Sequence, residues 1–182
     1  MAKRVFIIID GSNFYHKLKE LSFTDLLKFN FSGFAKFLAG NKKIVSCRYY
    51  VGAVREIPQN PRTKKLLADQ QRLLIQLKKQ NFSYALGYLL KTDRYHEKGV
   101  DVNISVDILV GTYENLYDRF VIVSSDTDLL PAIIKAKEKG KEIEYVGFSH
   151  QPSFALIRYA TETRLLHKED LMPFVSKKKK RT

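Results

Sequence analysis

Val121-Ile-Val-Ser-Ser-Asp126-Thr-Asp128-Leu-Leu-Pro131 is a short β-branched run that passes directly into small polar residues and two carboxylates. Such a run reads as a buried strand, so the acids fall at its carboxyl end, where open α/β sheets place their ligands. The chain opens in the same manner, with Val5-Phe-Ile-Ile-Ile9 leading into Asp10-Gly-Ser-Asn13. Two strand ends that each carry an acid predict one shared site.

The stretches around and between these two strands alternate in kind. Ser12 or Asn13 is expected to cap a helix through about Glu20, and a second helix is expected from Phe31 to Leu38, closed by Gly40. A strand at Ile44 to Val51 opens into a proline- and glycine-marked loop, followed from Lys64 to Gln80 by an amphipathic helix with Leu66, Leu67, Leu73, Leu74 and Leu77 on one stripe. A strand from about Phe82 to Leu90 is expected to run into a basic loop, Lys91 to Lys98, that contains Arg94 and offers Tyr95 and His96 to unpaired bases. Beyond Gly99 the spacing predicts a helix from Asp101 to about Tyr117, with Val102, Val106, Leu109, Val110, Tyr113, Leu116 and Tyr117 turned to the core. After the strand ending at Val123 come a helix from Leu129 to Lys139, a strand at Glu142 to Val146, a helix at Pro152 to Ala160 and a short strand at Arg164 to Leu166. Strand and helix repeated at this spacing mean a parallel or mostly parallel sheet covered on both faces.

With 182 residues the chain suits a single domain, read as residues 1–172, with a basic and disordered tail at 173–182. The 32 Lys and Arg against 19 Asp and Glu give a net charge of +13, a field that attracts polyanions and makes nucleic acid the expected partner. Removing Lys177, Lys178, Lys179, Lys180 and Arg181 still leaves +8 of the +13, so the body itself is basic. Cys47 is the single cysteine, which excludes an intrachain disulfide, and it reads as a buried structural thiol. The first apolar run is cut by Asp10 after five residues, too short for a signal peptide or a membrane span, so a cytoplasmic protein is expected.

Four carboxylates, Asp10, Asp101, Asp126 and Asp128, would repel one another if brought together without a cation among them. Hard oxygen donors with no ordered Cys or His set point to Mg²⁺ or Mn²⁺ rather than Zn²⁺, because His16, His96, His150 and His167 lack a metal-ligand spacing. Such ions activate water and polarise phosphodiesters. Each acid also has a plainer role, Asp126 as a helix cap and Asp10 as a turn residue. Asp107 lies six residues past Asp101, about 9 Å of rise and about 120° away on a helix, and is ranked as a supporting acid or a ligand to a second ion. A haloacid-dehalogenase-like use of Asp10 as nucleophile needs an acid two residues on, where this chain has Ser12. A dinucleotide enzyme would need the glycine pattern that Asp10-Gly-Ser-Asn13 lacks.

Phe6-Ile-Ile-Ile-Asp-Gly-Ser-Asn13, Lys98-Gly-Val-Asp-Val-Asn-Ile-Ser-Val-Asp107 and Val121 to Pro131 together resemble the three signature blocks of the NYN-domain family, LabA-like branch, in order and spacing. The resemblance implies a PIN- or FLAP-nuclease-like, Rossmann-like fold, a three-layer α/β sandwich with a mostly parallel central sheet. It also implies a metal-dependent endoribonuclease acting on RNA, with DNA as a further substrate to test, and leaves a homodimer open. By matching position, Asp10, Asp101, Asp126 and Asp128 would hold the metal, Asn13 and Ser124 would orient them or bind phosphate, and Lys98 would contact the scissile phosphate. Arg94 and Ser125 complete the substrate-side expectation. Ser125 and Leu129 stand where the family's pattern usually has Gly and Phe. The alternative reading is an RNA-binding adaptor that keeps the acidic pocket as a metal site without turnover.

Overall fold

The computed structural model describes residues 2–23, 25–57, 59–91 and 95–175, with the side chains of 89–91 and 95–97 outside that description. Among these residues, six parallel strands form one sheet in the order β3-β2-β1-β6-β7-β8. The strands are β1 (Arg4–Asp10), β2 (Lys43–Val51), β3 (Ser83–Leu86), β6 (Arg119–Val123), β7 (Glu142–Phe148) and β8 (Glu162–Leu166). All neighbours run parallel, as near-continuous apolar strands covered on both faces require.

The period-two alternation of β1 divides the core in two. Val5, Ile7 and Ile9 face α1 (Gly11–Glu20), α2 (Phe31–Ala39) and α3 (Pro61–Lys79), through Phe14, Leu18, Phe34, Leu38 and Leu77. Phe6 and Ile8 face α4 (Val100–Tyr113), α5 (Leu130–Glu138) and α6 (Phe154–Tyr159), through Ile104, Ile108, Ile133 and Leu156. The result is the expected three-layer α/β sandwich. Cys47 is 8% exposed and its thiol is pushed up to about 12 by burial, which leaves it an inert filler of the first core.

From β1 the chain moves outward to β2 and β3, then returns to place β6 on the other side of β1. The reversal opens a crevice between the carboxyl ends of β1 and β6, where the register pairs Ile9 with Val123. The two acidic strand ends therefore meet at the switch point of the topology.

Several local expectations are corrected. The first helix is capped by Asp10 rather than Ser12 or Asn13, its side chain accepting from the Asn13 amide. The strand expected from Phe82 to Leu90 breaks at Gly87: Ser83–Leu86 joins the sheet, while β4 (Tyr88–Lys91) pairs antiparallel with β5 (Tyr95–Lys98) as a separate ribbon. Part of the expected basic loop is thus strand. An added Cβ on Gly87 would stand 2.8 Å from the Lys98 carbonyl, so the close approach of the ribbon needs glycine there.

Helix α4 ends at Tyr113, and its buried residues are Val100, Ile104, Ile108, Gly111 and Thr112. Of the expected core stripe, Val102, Val106, Val110, Tyr113 and Leu116 are exposed, Leu109 is half-buried and Tyr117 alone is buried. The helix is apolar nearly all round, so hydrophobicity could not tell which side meets the sheet. No helix among the described residues is long and apolar enough to cross a membrane.

Candidate metal centre

Asp10, the last residue of β1, is 4% exposed. One carboxylate oxygen accepts the Asn13 amide at 3.1 Å, which caps α1, and the other accepts the Ser124 hydroxyl at 2.8 Å. Ser124 Oγ in turn accepts the amide of Asp126 at 3.1 Å. The two strand ends are thereby tied through one serine hydroxyl that donates to one acid and positions the backbone of the next. Asp126 caps the short turn Thr127–Leu129 by accepting the Asp128 amide at 2.9 Å. Its role as a cap does not keep it from the site.

Asp101 enters from the first turn of α4, which starts after Gly99 in the left-handed conformation, φ +85°. An acid in that turn is favoured by the positive end of the helix. Ligand oxygens of Asp10, Asp101 and Asp126 lie within 4.8 Å of one another. Burial raises the Asp101 carboxyl above its ordinary range, and the charges of Asp126, Asp10 and Asp128 raise it further.

The trio opens into a cavity of about 470 Å³ lined also by Ser12, Asn13, His16, Lys98, Gly99 and Val100. Asn13 Oδ1 is buried there with no hydrogen-bond partner among the described residues. An orphaned amide oxygen beside three clustered carboxylates is a hard-oxygen donor set, and it fits a divalent cation of the Mg²⁺ or Mn²⁺ class. Asp10, Asp101 and Asp126 are the residues that can hold it.

The other expected residues fall as follows. Lys98, at the end of β5, lines the cavity and is exposed. Asp128 stays outside the trio, exposed on the turn after Asp126, and acts on Asp101 as the smallest of the three neighbouring charges. Ser125 faces away toward β7, its hydroxyl 3.4 Å from that of Tyr145. Asp107 is held elsewhere on α4, accepting Arg48 Nη1 at 2.5 Å and the Tyr50 hydroxyl at 2.6 Å. Arg94 lies outside the described residues, as do the side chains of Tyr95 and His96.

Two lining residues escaped the sequence reading. Ser12 and His16 share one face of α1 at the i, i+4 spacing, one turn from the capped strand end. That spacing was the available signal, but it becomes informative only once α1 is known to start at Gly11.

A family model described as the NYN domain matches residues 4–166. A crystal structure of a protein of unknown function from Vibrio parahaemolyticus is similar over 93% of this chain and 96% of its own, at 21% identity and a TM-score of 0.72. A pyrazinamidase/nicotinamidase from Streptococcus mutans aligns at 14% identity, over 93% of this chain and 91% of its own, with a TM-score of only 0.31. None of the curated proteins matches. The likeness to the Vibrio protein shows the fold.

Proposed function

This chain belongs to the NYN domain family, and from that premise we propose that it is a divalent-metal-dependent endoribonuclease of the LabA-like branch, hydrolysing RNA in the cytoplasm. The observation that carries the reading is the convergence of Asp10, Asp101 and Asp126 at the sheet's switch point, with ligand oxygens within 4.8 Å. Net charge of +13 around a small negative centre supports it: the surroundings hold a polyanion while the trio does not.

A bound Mg²⁺ or Mn²⁺ would supply Lewis acidity to the scissile phosphate and to the attacking water. The protein's own part is positioning. Asp10 is fixed by two hydrogen bonds, from the Asn13 amide and Ser124, so its carboxylate is already aimed before substrate arrives. Lys98 brings an ammonium to the cavity edge, suited to a non-bridging phosphate oxygen. The buried Asn13 Oδ1 offers one further acceptor.

A second reading, an RNA-binding adaptor that keeps the pocket for metal alone, draws on Asp128 standing outside the trio, which leaves three acids gathered rather than four. One experiment separates the two. Purified protein is given end-labelled RNA with Mg²⁺ or Mn²⁺, with EDTA, and as Asp126→Asn. The nuclease reading expects internal cleavage that stops with EDTA and falls about 100-fold or more in Asp126→Asn while RNA binding persists. Binding and metal uptake without any cleavage would favour the adaptor.

A further inference from the structure

Next to the acidic cavity lies a second one of about 360 Å³, and Ser12 and His16 line both. This size falls within the about 300–1,000 Å³ of small-ligand pockets. Its character differs from the first. Leu26, Leu27, Val51, Val54, Leu66 and Leu73 give it apolar walls, and Tyr15 stands at its edge, 40% exposed. The rings of Tyr15 and His16 meet edge to face at 5.6 Å.

The wall opposite α1 is held in place by side chains of α3. Gln70 on α3 accepts the Val54 amide at 2.9 Å and donates to the Gly52 carbonyl at 2.6 Å, so the loop after β2 is fastened to the helix. Leu66 on the same helix is 48% exposed and borders the cleft, with the exposed cations Arg62, Lys64 and Lys65 beside it in sequence. Leu66 and Tyr15 together give the cleft an exposed apolar edge.

We propose that this cleft is a base-binding subsite, which receives one unpaired base of the RNA strand whose neighbouring phosphate lies at the acid trio. The inference rests on the nuclease reading and extends it to a substrate class, single-stranded rather than duplex RNA. Continuity of the two cavities through Ser12 and His16 is the first argument, because a strand crossing the metal centre must place its next unit in the apolar cleft. Chemistry is the second. The one charged residue lining the cleft, Asp69, is paired with Arg72 at 3.0 Å, so a largely apolar slot joined to a phosphate-handling site matches a polymer in which anionic and flat apolar units alternate. A paired duplex keeps its bases in the stack and cannot offer one. Among the polar lining residues, Gln70 and Asp69 are already engaged within the protein, so stacking and burial are the main terms by which the subsite holds a base.

The test compares two probes of equal charge: an eight-nucleotide single-stranded RNA and a ribose-phosphate strand of the same length without bases. Binding to the full chain is measured by anisotropy in EDTA across a salt series. The intact strand is expected to bind about ten-fold or more tightly, with the same salt slope for both. Tyr15→Ala and Leu66→Ala should each narrow the gap several-fold. Both positions are exposed, so the core is untouched, and unchanged melting verifies this. Equal binding of the two probes by the wild-type chain, or a gap that both variants leave intact, overturns the subsite. A protein that cuts RNA but does not discriminate loses this inference alone. One that discriminates but cuts nothing loses the nuclease reading alone.

Discussion

The Ser124 hydroxyl donates to Asp10 at 2.8 Å while its oxygen accepts the Asp126 amide at 3.1 Å, so one buried serine sets the spacing of two acids 116 positions apart in the chain. It adds a side-chain tie beyond the backbone pairing of Ile9 with Val123. Ser124→Ala should therefore lower Mn²⁺ affinity by about 10- to 100-fold, as loss of a ligand-orienting partner typically does. The stability loss should be modest, about 1 kcal/mol. Calorimetric titration with Mn²⁺ measures the first and thermal melting the second. Unchanged affinity would mean that the acids are positioned by the backbone alone.

Gly11 is a second point of close approach. A Cβ there would lie 2.2 Å from Tyr49 Cε1 and 2.6 Å from the Tyr50 carbonyl oxygen, and Tyr49 is itself 1% exposed. Neither neighbour can retreat, since one is core and the other is the backbone of β2. Gly11→Ala is expected to destabilise by about 1–3 kcal/mol, as overpacking does, and to weaken metal binding by displacing Asp10. A melting temperature equal to wild type would show that the strand end is softer than this packing implies.

These two sites also mark what the sequence discloses. Strands β1 and β6 were legible because residues buried on both faces leave an unbroken β-branched run, and the acids were legible because they end those runs. The glycine of Asp10-Gly-Ser-Asn13 looked like a turn residue, yet its cause is the Tyr49 ring from a strand some forty residues on. Helix α4 was placed almost correctly but rotated wrongly: Val102, Val106 and Val110 form as good a stripe as Ile104 and Ile108, and only the sheet selects between them. The β4–β5 ribbon was hidden because one residue, Gly87, separates two strands that belong to different sheets. His16 and Ser12 needed the start of α1, which a two- or three-residue difference in the cap had moved.

Asp101 supplies the pH-dependent prediction. Burial first, then Asp126, Asp10 and Asp128, raise its carboxyl above the ordinary range, so in metal-free protein its ionisation opposes folding. The sign follows from linkage: its contribution is fully favourable below the unfolded carboxylate range and is lost as pH rises through the raised value. Asp101→Asn removes that loss. The metal-free variant should melt higher than wild type at pH 7 by about 1–3 °C, and the difference should shrink toward acid pH. Saturating Mg²⁺ should reverse the order, raising wild type and leaving the variant unmoved. A variant that melts lower than wild type at every pH without metal would contradict the repulsion argument.

At the other end of the sheet, where the strands begin, Arg119 is 1% exposed and its side chain meets Glu144 and Glu162, each at 2.5 Å. Glu144 is also buried and binds Arg164 through its second oxygen at 2.8 Å, whereas the Glu162 side chain is 60% exposed. The two acids are therefore not equivalent. Water can replace Glu162, but loss of the Glu144 charge leaves a guanidinium inside the fold whose Nε already lacks a partner among the described residues. Glu144→Gln should cost about 3–5 kcal/mol, against about 1 kcal/mol or less for Glu162→Gln. Replacing both members of the buried pair, Arg119→Met with Glu144→Leu, should recover most of the loss, because the desolvation of two charges is removed together. Metal affinity should stay level in all three, since the acid trio sits at the opposite strand ends. Chemical denaturation of the four proteins measures these differences, and equal losses for the two single glutamate variants would show that burial does not set the strength of this network.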